Sequence, residues 1–305
     1  MSKVFLAIED YCIDGYPIKV VRDDLFPYVG GGSKARKAMG YESFLRQSGY
    51  NAVVTCGGIQ SNHNRAIALM SARNGWKCHL CIQGTQDRFD AEKGNALLCR
   101  LSGADCELID VAETASAMDK AMQQFHDNGL NPYYIHGGGH DLPGGTCFVD
   151  AVSDFKERCD DIGYKPDYIF LASGTGSTQA GIVAGLEMVG WGDVTVVGIS
   201  VARELERGRQ VIQDFLRMLC LHYGLDNDLS ERVVFNADYL YGGYEAYSLQ
   251  MKEYLEKVMR ETGLIFDTTY SGKGFYGMME IIKRGALADK NNVFWHTGGL
   301  MNIMN

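Results

Sequence analysis

Residues 168–190, YIFLASGTGSTQAGIVAGLEMVG, hold the arrangement that decides the fold. Tyr168 to Ala172 is a run of apolar and aromatic side chains without alternation, the pattern of a strand buried on both faces. Ser173 to Thr178 is small and polar throughout. Thr178 to Val189 then carries helical spacing up to Gly190, a residue suited to ending a helix. Strand, glycine turn and helix in that order make up the start of a parallel crossover unit.

The same rhythm runs outward in both directions. Short β-branched or apolar runs at Ala52 to Cys56, Cys78 to Ile82, Cys106 to Ile109, Tyr133 to His136, Val194 to Ile199 and Val293 to His296 predict further strands. Helices are predicted over Ala66 to Asn74, ending at Gly75, and over Ala91 to Leu101, ending near Gly103. Alternation of this kind means an α/β fold with parallel strands covered by helices. At 305 residues the chain suits one large domain or two ordinary ones, and no repeat, low-complexity tract or proline-rich linker marks a boundary.

Glycine is over-used, with 37 residues against 5 prolines. It clusters at Gly30-Gly31-Gly32, Gly57-Gly58, Gly137-Gly138-Gly139, Gly174-Thr175-Gly176 and Gly298-Gly299. The last four clusters directly follow predicted strands, where open α/β sheets bind ligands, and four such loops predict one crevice. Composition narrows what could bind there. The net charge of -9, with no basic stretch, argues against nucleic acid. No apolar run reaches the roughly 18 residues of a membrane helix, and Glu9 and Asp10 interrupt the opening MSKVFLAIEDYC where a signal peptide would stay apolar. A cytoplasmic protein is expected. Nine scattered cysteines imply reduced thiols, and the Cys78/Cys81 pair lies in a strand without a second ligand pair, so no metal is expected.

Three segments could carry chemistry. Gly174 to Thr178 offers successive backbone N–H groups and hydroxyls at a helix start, a cradle for phosphate; it matches neither G-x-G-x-x-G nor the P-loop, and a plain strand-to-helix turn is the bland alternative. Lys34 follows a glycine run at a predicted helix start, against the helix dipole, which helps expose a neutral nucleophilic amine; the bland reading is a solvated surface lysine. In Gly57 to Arg65, Ser61 or Asn62 suits an N-cap, which does not explain the glycines and polar groups around it.

Together with Val21 to Leu25, Gly32 to Lys37, Gly57 to His63, Gly174 to Gly181, Tyr270-Ser271-Gly272-Lys273 and His296 to Gly299, these segments make the chain similar to the pyridoxal-phosphate enzymes that include 1-aminocyclopropane-1-carboxylate deaminase and D-cysteine desulfhydrase. The six motifs occur in the family's order from about residue 20 to 299. The resemblance implies a fold type II enzyme, like the β chain of tryptophan synthase, with two α/β domains, each a twisted, mostly parallel sheet flanked by helices, and the cofactor, pyridoxal 5'-phosphate, between them. Its domains would be 1–47 with 148–305 (large) and 48–147 (small). It further implies Lys34 as Schiff-base lysine, Asn62 beside the cofactor's 3-hydroxyl, Gly174, Thr175, Gly176, Ser177 and Thr178 around its phosphate, and Ser61 at the substrate carboxylate. Tyr244 and Tyr270 resemble the family's two active-site tyrosines, and Ser271 or Thr297 would face the ring nitrogen. A small amino-acid substrate and a homodimer complete the expectation.

The departures bear on reaction type. Ser33 replaces the usual asparagine before the lysine, Gly137-Gly138-Gly139-His140 replaces Gly-Gly-Ser-Asn, and the lead-in before Val21 is short. Ser271 and Thr297 stand where the deaminases carry glutamate and leucine and the desulfhydrases carry hydroxyls. A hydroxyl partner would leave the ring nitrogen largely unprotonated, which suits elimination. The expected activity is therefore β-elimination to a keto acid and ammonia, as in D-cysteine desulfhydrase. The alternatives are cyclopropane ring opening, another pyridoxal-phosphate reaction in a specialised pathway, and a cofactor-binding protein without turnover, which would need none of Ser61, Tyr244 and Tyr270.

Overall fold

In the computed structural model, residues 6–225, 228–285 and 287–304 are described. Residues 1–5, the start of the stretch read against a signal peptide, lie outside them. In chain order the strands are β1 (Ile8–Ile13), β2 (Tyr16–Val21), β3 (Ala52–Gly58), β4 (Lys77–Gln83), β5 (Asp105–Ile109), β6 (Pro132–Tyr134), β7 (Tyr168–Ser173), β8 (Thr195–Ser200), β9 (Val234–Asn236) and β10 (Asn292–Trp295). The helices that matter below are α1 (Ser33–Ser48), α2 (Asn62–Asn74), α3 (Gln86–Ala91), α4 (Gly94–Leu101), α5 (Thr114–Asp127), α6 (Leu142–Asp161), α7 (Ser177–Met188), α8 (Leu205–Tyr223), α9 (Leu249–Thr262) and α10 (Ser271–Lys283). All seven predicted strands are present, with ends shifted by one or two residues.

The chain divides into two compact units, Met1–Phe26, Gly31–Ser33 and Gly145–Leu300 in the larger, Pro27–Gly30, Lys34–Gly144 and Met301–Asn305 in the smaller. The expected boundary at 47/48 differs from this division. Beyond Ser33, α1 clusters with the smaller unit because its apolar side chains Ala38, Tyr41 and Leu45 share a core with Val53, Leu80 and Ile82 of that unit's strands.

The larger unit's sheet has the order β1-β2-β10-β7-β8-β9, with β1 and β2 antiparallel and the remaining pairs parallel. On one face Phe275, Met278, Met279 and Ile282 of α10 pack with Phe170, Ile199 and Phe294. Each such side chain contributes roughly 1.5–3 kcal/mol by leaving water. The hairpin of β1 and β2 was not among the predicted strands. Asp14 and Gly15, both with positive φ (53° and 86°), form its two-residue turn.

In the smaller unit the order is β5-β4-β3-β6, all parallel. Val53 of β3 faces α1 and α2, whereas Ala52 and Val54 face Ala117, Met118, Ala121 and Phe125 of α5. The same alternation separates Cys78 from Cys81, which belong to opposite cores and cannot bind one ion together. Cys81 instead shares a face with His79 and with Glu107 of β5; His79 and Glu107 are hydrogen-bonded (3.1 Å), and burial pushes the Cys81 thiol up to about 12.

The single helix expected over 91–101 is two helices. Gln60 causes the break: its amide donates to Glu92 (2.8 Å) and to the Lys93 carbonyl (3.0 Å), and its oxygen accepts from the Asn95 N–H (3.0 Å), capping α4. Among the described residues no helix is long and apolar enough to cross a membrane.

Candidate active site

Within each unit, two glycine loops leave neighbouring parallel strands at their carboxyl ends. In the smaller unit they follow β3 and β6. Lys34 is the second residue of α1, and its Nζ donates to the Gly138 carbonyl (2.9 Å) in the loop after β6. The sequence reading missed Lys37, one helical turn on. It is fully buried, and its Nζ donates to Gly138 (2.9 Å) and to Gly139 (3.2 Å).

After β3, Ser61 is the N-cap of α2, its Oγ accepting from the Asn64 N–H (3.2 Å). That is the capping role; it leaves the hydroxyl hydrogen for another partner. Asn62 donates to Asn302 (2.6 Å) and accepts from Asn95 (3.0 Å). His63 contributes a fixed tautomer. Thr55 Oγ1 donates to the Ile135 carbonyl (2.8 Å) and therefore accepts from His63 Nε2 (2.9 Å), leaving Nδ1 as a buried lone pair without a partner among the described residues. Burial, then the charges of Lys34 and Lys37, pushes His63 well below its ordinary value, so the ring is neutral.

In the larger unit the loops follow β7 and β10, which are paired. Gly176 precedes α7 with φ +90°, and a Cβ there would lie 2.5 Å from Ile212 of α8, so only glycine lets the loop turn this tightly. The backbone N–H groups of Ser177 and Thr178 begin the helix, and Ser173 Oγ is buried without a partner among the described residues. An orphaned hydroxyl beside a helix start fits a phosphate. Arg203, also missed by the sequence reading, donates from its guanidinium to the Gly174 carbonyl and braces this loop. Its own backbone is held by Ser200, whose Oγ accepts from the Arg203 N–H (3.1 Å) and donates to its carbonyl (2.6 Å).

Tyr244 and Tyr270 come together: their hydroxyls are hydrogen-bonded and their ring centroids lie 5.7 Å apart. Burial, then the neighbouring Tyr244, pushes Tyr270 well above its ordinary value, so it is a neutral phenol. Lys273 fastens the loop that carries Tyr244. It is fully buried and donates to the carbonyls of Gly243 (2.8 Å), Leu240 (3.2 Å) and Val201 (3.4 Å). Ser271 Oγ is turned toward the Asp267 carboxylate (2.7 Å). The Thr297 carbonyl accepts from the Ser33 N–H (2.9 Å), which ties the loop after β10 to the start of α1.

Comparison with known proteins agrees with this chemistry. The family model described as pyridoxal-phosphate dependent enzyme matches residues 14–298. The chain is 32% identical over 279 residues to a 1-aminocyclopropane-1-carboxylate deaminase of Methylobacterium nodulans, covering 88% of this chain and 82% of that one. A deaminase of the same name from Ralstonia nicotianae is 33% identical over 282 residues, with the same coverage. The crystal structure of a homologue of that deaminase superposes with a TM-score of 0.85 at 27% identity, covering 95% of this chain and 86% of that one. With the family's model spanning nearly the whole chain and the fold matching throughout, the protein belongs to the pyridoxal-phosphate-dependent enzymes of fold type II.

Proposed function

We propose that the enzyme eliminates a β substituent from a small amino acid, D-cysteine or β-chloro-D-alanine foremost, releasing a keto acid and ammonia. For cysteine the balance is one amino acid plus one water to pyruvate, ammonium and hydrogen sulfide. Bound pyridoxal phosphate supplies an electron sink for the carbanion at the substrate's α carbon. Lys34 would hold the cofactor through its amine, and the same amine would take the α proton of the substrate. Residues 174–178 would hold the phosphate, Asn62 would lie beside the 3-hydroxyl, Ser61 would bind the substrate carboxylate, and Ser271 or Thr297 would face the ring nitrogen.

The observation that carries the reading is the tyrosine pair. A neutral phenol is a proton donor, and the hydrogen bond with Tyr244 holds Tyr270 in place to protonate a departing thiolate. The second reading, ring opening of 1-aminocyclopropane-1-carboxylate to 2-oxobutanoate and ammonium with one water, draws support from the names of the relatives at 32% and 33% identity. Steady-state release of pyruvate or 2-oxobutanoate from the two substrate types decides between them. The first reading expects faster turnover of the β-substituted alanines; faster turnover of the cyclopropane overturns it in favour of the second.

A further inference from the structure

Asp267 is 2% exposed, and among the described residues its side-chain hydrogen bonds are made within one turn at the start of α10. Oδ1 accepts from the Ser271 N–H (2.9 Å) and from Ser271 Oγ (2.7 Å); Oδ2 accepts from the N–H groups of Tyr270 (2.8 Å) and Thr269 (3.0 Å). Four donors converging on a carboxyl at a helix N-terminus favour the anion, against the burial that pushes the group up. Gly299, in the same loop as Thr297, lets its chain lie against that carboxylate: a Cβ there would sit 2.1 Å from Oδ1.

A serine hydroxyl has one hydrogen and two lone pairs. At Ser271 the hydrogen goes to Asp267 in a charge-assisted bond, and the Asp267 N–H, 3.3 Å from Oγ, faces one lone pair. What remains for a ligand is an acceptor. A bare hydroxyl could donate to an unprotonated pyridine nitrogen, but this one is committed to a buried carboxylate.

We propose that Ser271 accepts a hydrogen bond from a protonated ring nitrogen and that Asp267, acting through Ser271, is the positioning residue that favours this protonation. The pair performs the part of a carboxylate placed directly on the ring, the reverse of what a lone hydroxyl would do. The inference rests on the reading that Ser271 faces the ring nitrogen, and it holds whichever substrate the enzyme prefers.

The test is the ¹⁵N chemical shift of the ring nitrogen after reconstituting the protein with ¹⁵N-labelled pyridoxal phosphate, in the absence of substrate. A pyridinium-type shift is expected in the wild type. It should persist in Ser271→Thr and move to the unprotonated position in Ser271→Ala and Asp267→Asn. Should Asp267→Asn fail to fold, the two serine variants suffice. An unprotonated wild type overturns the inference, as does a pyridinium signal unchanged in Ser271→Ala. Failure of the wild type to take up the cofactor overturns the functional reading itself and is seen before any shift is measured.

Discussion

Lys34 and Lys37 donate to a single carbonyl oxygen, that of Gly138, each over 2.9 Å. Three residues apart on α1, they share a helix face, and the glycine loop after β6 receives both. The two are not equivalent: Lys37 is fully buried and also reaches Gly139, whereas Lys34 is partly exposed. Lys37→Met should therefore cost stability, by about 1–3 kcal/mol, because it removes two hydrogen bonds from a fully buried position. Urea unfolding checks this, and an unchanged midpoint contradicts a structural role for Lys37.

The loop after β7 should govern cofactor affinity. Thr175→Ala or Thr178→Ala removes a hydroxyl proposed to hold the phosphate, and a bond to a charged group worth about 1.5–3 kcal/mol corresponds to ~10-fold or greater weakening. Arg203→Met should weaken binding in the same direction by loosening Gly174. Spectroscopic titration of apoprotein with pyridoxal phosphate measures all three; unchanged affinity in the two threonine variants would exclude the phosphate from this loop.

Tyr270→Phe should lower kcat by ~10²-fold or more if the phenol moves a proton in the reaction. Tyr244→Phe keeps the ring contact and removes only the hydroxyl beside Tyr270, so a smaller loss is expected. Equal, minor effects in both variants would leave the pair a packing contact.

Two buried histidines make the fold acid-sensitive. Burial holds both His63 and His296 below the ordinary value of 6.5. Below pH 6.5 the unfolded chain binds protons at these rings that the folded chain does not, so stability is full above that pH and falls as pH falls, by up to about 1.4 kcal/mol per pH unit for each group. Thermal unfolding at pH 7.5 and 5.5 should show this loss, and His63→Gln should flatten the dependence. A melting temperature higher at pH 5.5 would contradict the sign.

How far the sequence could be read follows from where its signals lie. The strands at 52–58, 77–83, 168–173 and 292–295 are apolar on both faces, and the glycines after them mark strand ends, so the sheet frame was legible. β1 was not, because Glu9, Asp10 and Cys12 give an edge strand with solvent-facing positions; Asp14-Gly15 was the available signal for its hairpin. The break before α4 depends on Gln60, a residue far off in sequence, and the local signal for it was Gly94, which opens α4 with φ +52°. Lys34, Ser61 and Tyr270 stood out through motif context. Lys37 and Lys273 lay within quoted motifs but drew no role, because their partners are carbonyls that only the folded chain brings within reach, as is Arg203's; Asp267 bonds locally, to residues 269–271, and was overlooked.

Lys34 is the residue proposed to carry the cofactor. Borohydride reduction of the reconstituted protein, followed by peptide mapping, tests it without substrate: the reduced carbon–nitrogen bond should be found on Lys34 Nζ, and Lys34→Ala should lose both the adduct and the visible absorption of the bound cofactor while remaining folded. An adduct on Lys37, Lys273 or any other lysine, or an undiminished absorption band in Lys34→Ala, would contradict the assignment.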